Sequence, residues 1–195
     1  RDPIAQANGI EGRAAEKAME LVVYTLSHQV ETLDLEYGTL VPMHYMNPEG
    51  DLKVVSVAAY CTVHSFDSSR KIGEAIRAAV EASDSKVLLV ASGSLSHKIW
   101  ENELYEANNG TFTISREFNR QCDLRVLELW QTGEIATFLK MLPDYAVHCS
   151  GEGTMHDTVM LFGALGWDSY AGKGEVIGEY FPSSGTGQAN VIFPV

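Results

Sequence analysis

Apolar residues recur along this chain in two rhythms, one suited to helices and one to strands. Ala15, Ala18, Met19, Val22 and Val23 stand three and four apart between Gly12 and Thr25, which puts them on one face of a helix. The same spacing returns in Ile72, Ala75, Ile76, Ala79 and Val80, behind Ser68 or Ser69 as a helix opener. Between Ser115 and Leu129 it returns again, with Phe118, Cys122, Val126 and Leu129 as the apolar stripe. A shorter helix is predicted from Ile135 to Leu142, ended by Pro143, and a further one from Thr154 to Leu165, stopped by Gly166.

The second rhythm is the short continuous run of β-formers. Lys53 to Ala58 and Lys86 to Ala91 both read as buried strands, and with the helix between them they predict a βαβ unit with parallel strands. Near the end, Val176 to Phe181 and Ala189 to Phe193 flank a glycine-rich stretch at 183–187, the pattern of two strands joined by a turn. No internal repeat or low-complexity linker interrupts the chain. The expectation is a single α/β domain with a largely parallel central sheet covered by helices on both faces.

Composition narrows the partners. With 45% hydrophobic and 21% charged residues, a chain of 195 residues can bury a substantial core. Its 14 Lys and Arg against 26 Asp and Glu give a net charge of −12, which repels phosphate backbones and anionic lipid surfaces. Nucleic acid and membrane partners are therefore not expected. The apolar run Val87-Leu88-Leu89-Val90-Ala91 is far shorter than the roughly 20 residues that cross a bilayer. The opening Arg1-Asp2-Pro3 lacks an initiator Met and a secretory layout, so the start reads as internal. Three widely spaced cysteines, Cys61, Cys122 and Cys149, form no C-x-x-C pair, which points to a reducing cytoplasm.

Chemistry is sought beyond the carboxyl ends of parallel strands, where α/β sheets build their sites. His97 ends the stretch Ser92-Gly93-Ser94-Leu95-Ser96-His97 after the second such strand, and His64 follows the first. A lone histidine there more often serves packing than catalysis, and the small residues around His97 only partly offset this. Glu152 lies between Gly151 and Gly153, just before Thr154 and His156-Asp157. Asp157 is explained by helix capping, whereas Glu152 can present its carboxylate to a metal. Glu36 and Tyr37 sit beside a glycine in what reads as a loop entering a strand, and both are candidates to contact a substrate. Ser184 and Thr186 belong to the glycine-rich turn, whose amides could cradle an anion. His28, His44 and His148 carry no partner pattern and read as surface or packing residues.

Four segments taken in order, at 35–43, 91–97, 151–161 and 183–188, resemble the class III extradiol ring-cleaving dioxygenases, the protocatechuate 4,5-dioxygenase-like superfamily. The resemblance implies Fe(II) held by two histidines and one glutamate, with positions left open for substrate and O₂. It implies that Glu152 is the carboxylate ligand, with Asp157 open as the alternative under a slip of one or two residues, and that His97 is an acid/base group and not a ligand. Both histidine ligands are expected upstream, so that residues 1–195 form the C-terminal part of one catalytic domain. Tyr37 departs from the pattern, standing where many relatives carry an Asp-His pair.

The implied reaction is oxygen-dependent meta cleavage of a catechol, of the 3,4-dihydroxyphenylacetate kind, to a muconic semialdehyde, by a cytoplasmic homo-oligomer. Three other readings stay open on the sequence. They are a non-catalytic sister subunit, a zinc hydrolase built on His97, His64 and Glu152, and a small-molecule binding domain.

Overall fold

The computed structural model describes residues 37–195, so the helix expected between Gly12 and Thr25 lies outside the described residues. In chain order the helices are α1 (Tyr37–Met46), α2 (Phe66–Glu81), α3 (Asn102–Tyr105), α4 (Glu117–Thr132), α5 (Ile135–His148) and α6 (His156–Leu165). Two strands follow, β1 (Glu175–Ser183) and β2 (Thr186–Ile192). These elements fall into two compact units. The first runs up to Ser92 and adds His156–Leu165; the second combines Gly93–Met155 with Gly166–Val195.

The first unit is built on α2 and α6. Ser65 caps α2, its hydroxyl accepting the Ser68 N–H at 3.1 Å, so the helix begins slightly before the expected serines. Ile72, Ala75, Ile76 and Ala79 are buried, as their period requires, and Ile72 and Ile76 cluster with Met160 of α6. Glycines allow the close approach of the two helices. A Cβ on Gly73 would run into the Met160 carbonyl, and one on Gly163 into the Arg70 carbonyl. Because these obstacles are backbone atoms, Gly163→Val is expected to destabilise the protein by about 1–3 kcal/mol. A denaturant midpoint equal to that of the unsubstituted protein would show that the helices are not in close contact.

Two expectations for this unit are corrected. Residues 37–46 form a helix with Pro42 inside it, not a loop entering a strand. Glycine and proline punctuate like a turn, yet one missing N–H removes one ladder bond and a ten-residue helix survives that. The runs at 53–58 and 86–91 form no strand. Val55, Val57, Val87, Leu88, Leu89 and Val90 are all exposed, Leu88 at 73%. Apolar β-formers become a strand only where a neighbour completes the hydrogen-bond ladder, and none does so among the described residues. Among the described residues the fold is mixed helix and sheet, and the sheet there is two-stranded and antiparallel, without the expected parallel strands.

The second unit has its core where α4 meets α5. Gly133, at φ 80°, ends α4 in the left-handed region, with its N–H turned back to the helix. Val126, Leu129, Trp130, Ile135, Phe138 and Leu142 are buried, and the Trp130 ring meets Phe138 and Phe193 edge-on at 5.2 and 5.4 Å. α5 runs on through Pro143 to His148, beyond the stop expected at the proline. The hairpin is found as expected. Ser183 pairs with Thr186 across Ser184 and Gly185, whose φ values of 55° and 96° suit the two-residue turn that matches strand twist. No helix among the described residues is long and apolar enough to cross a membrane.

Candidate active site

Residues 94–97 form a short extended piece fastened on both sides within the second unit. On one side Leu95 N donates to Gly187 O and Gly187 N donates to Ser96 O, both at 2.9 Å. On the other, His97 N donates to Ser150 O at 3.0 Å and Glu152 N donates to Leu95 O at 3.2 Å. His97 is thus not at the tip of a parallel strand, as expected, because that strand does not form. It is held instead between the loop before α6 and the start of β2.

This fastening brings His97 and Glu152 together. His97 Nε2 lies 3.8 Å from Glu152 Oε1, with the two side chains 31% and 22% exposed. The separation exceeds hydrogen-bond range, so the pair is adjacent without being tied. Glu152 Oε2 accepts the Ser94 N–H, and Gln188 Nε2 donates to Ser94 Oγ at 2.6 Å. The turn that carries Glu152 is strained. Gly153, Thr154 and Met155 follow one another at φ 51°, 51° and 65°, and Ser150 stands at 54°. A left-handed conformation is uncommon for a β-branched residue such as Thr154, and strain of this kind persists only where surrounding contacts enforce it.

Asp123 is a residue of this site that the sequence pattern conceals. It lies on the buried face of α4 with Asn119 and Val126, fully shielded from solvent, and opposite in expectation to Phe118, which is 53% exposed. Its Oδ1 accepts the Tyr145 hydroxyl at 2.6 Å and the Ser96 N–H at 3.2 Å. Its Oδ2 accepts the Tyr180 hydroxyl at 2.7 Å and the Ser96 hydroxyl at 2.8 Å. Burial holds its carboxyl above the usual range even against these four bonds, and burial first, then the Asp123 carboxylate, pushes both tyrosines up. The available signal was its place in the helical period of Asn119, Val126 and Trp130.

The remaining candidates are placed as follows. Glu36 lies outside the described residues. Tyr37, 69% exposed, opens α1, and His64 precedes the cap of α2, both in the first unit. Ser184 and Thr186 are in the second unit and are engaged in the hairpin. Ser184 Oγ bonds the Tyr105 hydroxyl at 3.1 Å, and Thr186 Oγ1 donates to Ser183 O at 2.6 Å and accepts from Gln188. Asp157 sits in the first turn of α6, in the first unit, whereas Glu152 has the carboxylate set against His97.

His156, also in the first unit, was not singled out for chemistry. Its Nδ1 bonds Ser69 Oγ at 2.7 Å and its ring packs edge-on to Phe66. Burial first, and then the charge of His64, lower its pKa from 6.5. The folded state therefore takes up a proton less readily than the unfolded one, and the stability it contributes above pH 6.5 is lost as pH falls through the lowered value. The denaturant midpoint is expected to drop on acidification through this window, and to drop less in His156→Asn. An equal pH dependence in the two proteins would remove His156 from the account.

Among the described residues no group of three His, Cys, Asp or Glu side chains is placed to hold a metal. The Glu152 carboxylate, beside an imidazole, fits one donor of a larger set.

Comparison with known proteins gives the context. The family described as "Catalytic LigB subunit of aromatic ring-opening dioxygenase" matches residues 6–194. A 3,4-dihydroxyphenylacetate 2,3-dioxygenase of Escherichia coli is 51% identical over 159 residues, which cover 82% of this chain and 57% of that protein. A 2-aminophenol 1,6-dioxygenase beta subunit of Pseudomonas sp. is 27% identical over 121 residues, covering 56% of this chain and 38% of that subunit. The chain thus spans little more than half the length of the first relative and less of the second. With nearly its whole length matched by one family, the chain belongs to the LigB family of catalytic subunits of aromatic ring-opening dioxygenases.

Proposed function

We propose that this chain carries the acid/base group and the carboxylate metal ligand of an Fe(II)-dependent extradiol dioxygenase that cleaves a catechol, 3,4-dihydroxyphenylacetate being the favoured substrate. The observation that carries the reading is the juxtaposition of His97 Nε2 and Glu152 Oε1 at 3.8 Å on a segment fastened from both sides. The substrate follows from likeness to the Escherichia coli enzyme, at 51% identity. Residues 1–195 would then be the C-terminal part of one catalytic domain.

In this reading Glu152 contributes one donor to Fe(II), and two histidines from outside the described residues complete the set. Iron, when bound, supplies chelation of the catechol oxygens and electron transfer to O₂. His97 handles the protons. Its Nε2 takes the proton from a catechol hydroxyl and later returns it to assist O–O cleavage, a service typically worth about 10²–10⁴-fold in rate. Glu152 keeps its orientation because the Ser94 N–H holds the oxygen remote from His97. Tyr37, Glu36, His64, Ser184 and Thr186 remain candidates for substrate contact. The setting is a cytoplasmic homo-oligomer without nucleic acid or membrane partners, in keeping with the charge of −12.

The test is O₂ uptake by the protein at its natural length, loaded with Fe(II), across a panel of catechols with semialdehyde absorbance followed in parallel. Uptake with 3,4-dihydroxyphenylacetate supports the reading. Uptake with none of the catechols overturns it.

A further inference from the structure

We infer that Asp123 is a positioning residue for His97, an inference that rests on the proposed acid/base role of that histidine. The carboxylate grips Ser96 twice, by its N–H and its hydroxyl, and Ser96 is the immediate neighbour of His97. Tyr145 of α5 and Tyr180 of β1 hold the carboxylate in turn, so one side chain of α4 ties two further elements to the backbone that carries the imidazole.

Three observations favour positioning over simple packing. All four donors to Asp123 are neutral, so no cation offsets the cost of burying the acid, and directional hydrogen bonds alone hold it in place. The double grip fixes both the backbone and the side chain of Ser96, which a purely apolar contact cannot do, and directional bonds of this kind are what set an angle. The hairpin is also shaped to the carboxylate. A side chain at Gly187 would overlap Asp123 Oδ2 and approach the Tyr180 hydroxyl, and Gly187 is the residue that pairs with Leu95 and Ser96 through its backbone. Asp123 therefore touches, directly or through Gly187, one whole side of the clamp on residues 94–97. The other side carries Glu152.

The experiment uses the protein at its natural length, with Asp123→Asn and Tyr180→Phe each made alone and in the His97→Phe background. Asp123→Asn keeps the shape but sets an amide N–H against donors. Tyr180→Phe removes one bond while keeping the ring, and serves where Asp123→Asn does not fold. In the wild-type background kcat is expected to fall, by up to about 10²-fold for Asp123→Asn, since misplacement of a reacting group by about 1 Å can cost that much. In the His97→Phe background the same substitutions should lower kcat no further, while the loss of thermal stability is the same in both. An equal fractional loss of kcat in the two backgrounds marks a merely structural residue and overturns the inference.

A second measurement does not depend on turnover. In protein labelled with ¹³C-histidine, Asp123→Asn or Tyr180→Phe should displace the His97 ring resonances and leave those of His44 and His148 in place. Unmoved His97 resonances overturn the positioning role. If the wild-type protein consumes no O₂ with any catechol, the proposed function fails, and the resonances still decide whether Asp123 orients His97.

Discussion

His97→Phe is expected to lower kcat for catechol cleavage by roughly 10²-fold or more while leaving iron and catechol binding close to those of the unsubstituted enzyme. The substitution removes Nε2 and keeps a planar ring, and the backbone that presents it is fixed by bonds that do not involve the side chain. Those bonds run from His97 N to Ser150 O and from Leu95 to Gly187. Glu152 keeps the Ser94 N–H, so its carboxylate stays in place when the imidazole is gone. A proton carrier is lost and no donor to the metal is. The measurement is steady-state O₂ uptake with iron content determined on the same samples. Loss of iron in this variant would make His97 a ligand and overturn its assignment as the acid/base group.

Glu152→Gln is the complementary case. The amide oxygen can still accept the Ser94 N–H, so the local fold is retained, but the negative charge that a divalent cation needs is gone. Substitution of residues that merely orient ligands costs about 10- to 100-fold in metal affinity, and removal of a donor should exceed about 100-fold. Iron titration of the apo-protein reads this directly, and activity should fall with it. Retention of iron and activity in Glu152→Gln would turn attention to Asp157 as the carboxylate. The two variants together separate the roles, one losing turnover with iron kept and the other losing both.

Much of the helical framework was legible in the spacing of apolar residues, because burial of one helix face leaves a mark every three or four positions. Ile72, Ala75, Ile76 and Ala79 of α2 follow that rule, and the hairpin announced itself through its glycine-rich turn. What was not legible depended on partners. The runs at 53–58 and 86–91 have strand composition, but composition does not supply a neighbouring strand. On α4 the expected stripe ran through Phe118, whereas the buried face carries Asn119 and Asp123, since a rule that turns charge outward cannot foresee a carboxylate satisfied by two tyrosines and a serine. In α5, Pro143 was read as a stop, although the buried residues Leu142, Tyr145 and Ala146 on either side of it keep the helix going.

At the site, His97 is a candidate from its place after an expected strand and Glu152 from its two flanking glycines, with their roles implied by the resemblance, and the structure sets the two side chains side by side. The reason first given for His97, the end of a parallel strand, does not hold. What places it is the fastening of residues 94–97 by backbone bonds to Gly187 on one side and to Ser150 and Glu152 on the other. Asp123 was passed over because its value lies in four contacts that come from three distant parts of the chain.

The lack of a side chain at Gly187 also bears on how the hairpin finds its alignment. A slip of one residue would bring Thr186 or Gln188 to the place beside Asp123, where even a Cβ does not fit, and would turn every side chain of β2 to the opposite face. The buried acid therefore disfavours a slipped alignment of the folded hairpin. A misaligned hairpin cannot seat against α4, and without that seat residues 94–97 lose the fastening opposite Glu152 and keep only the one to Ser150 and Glu152.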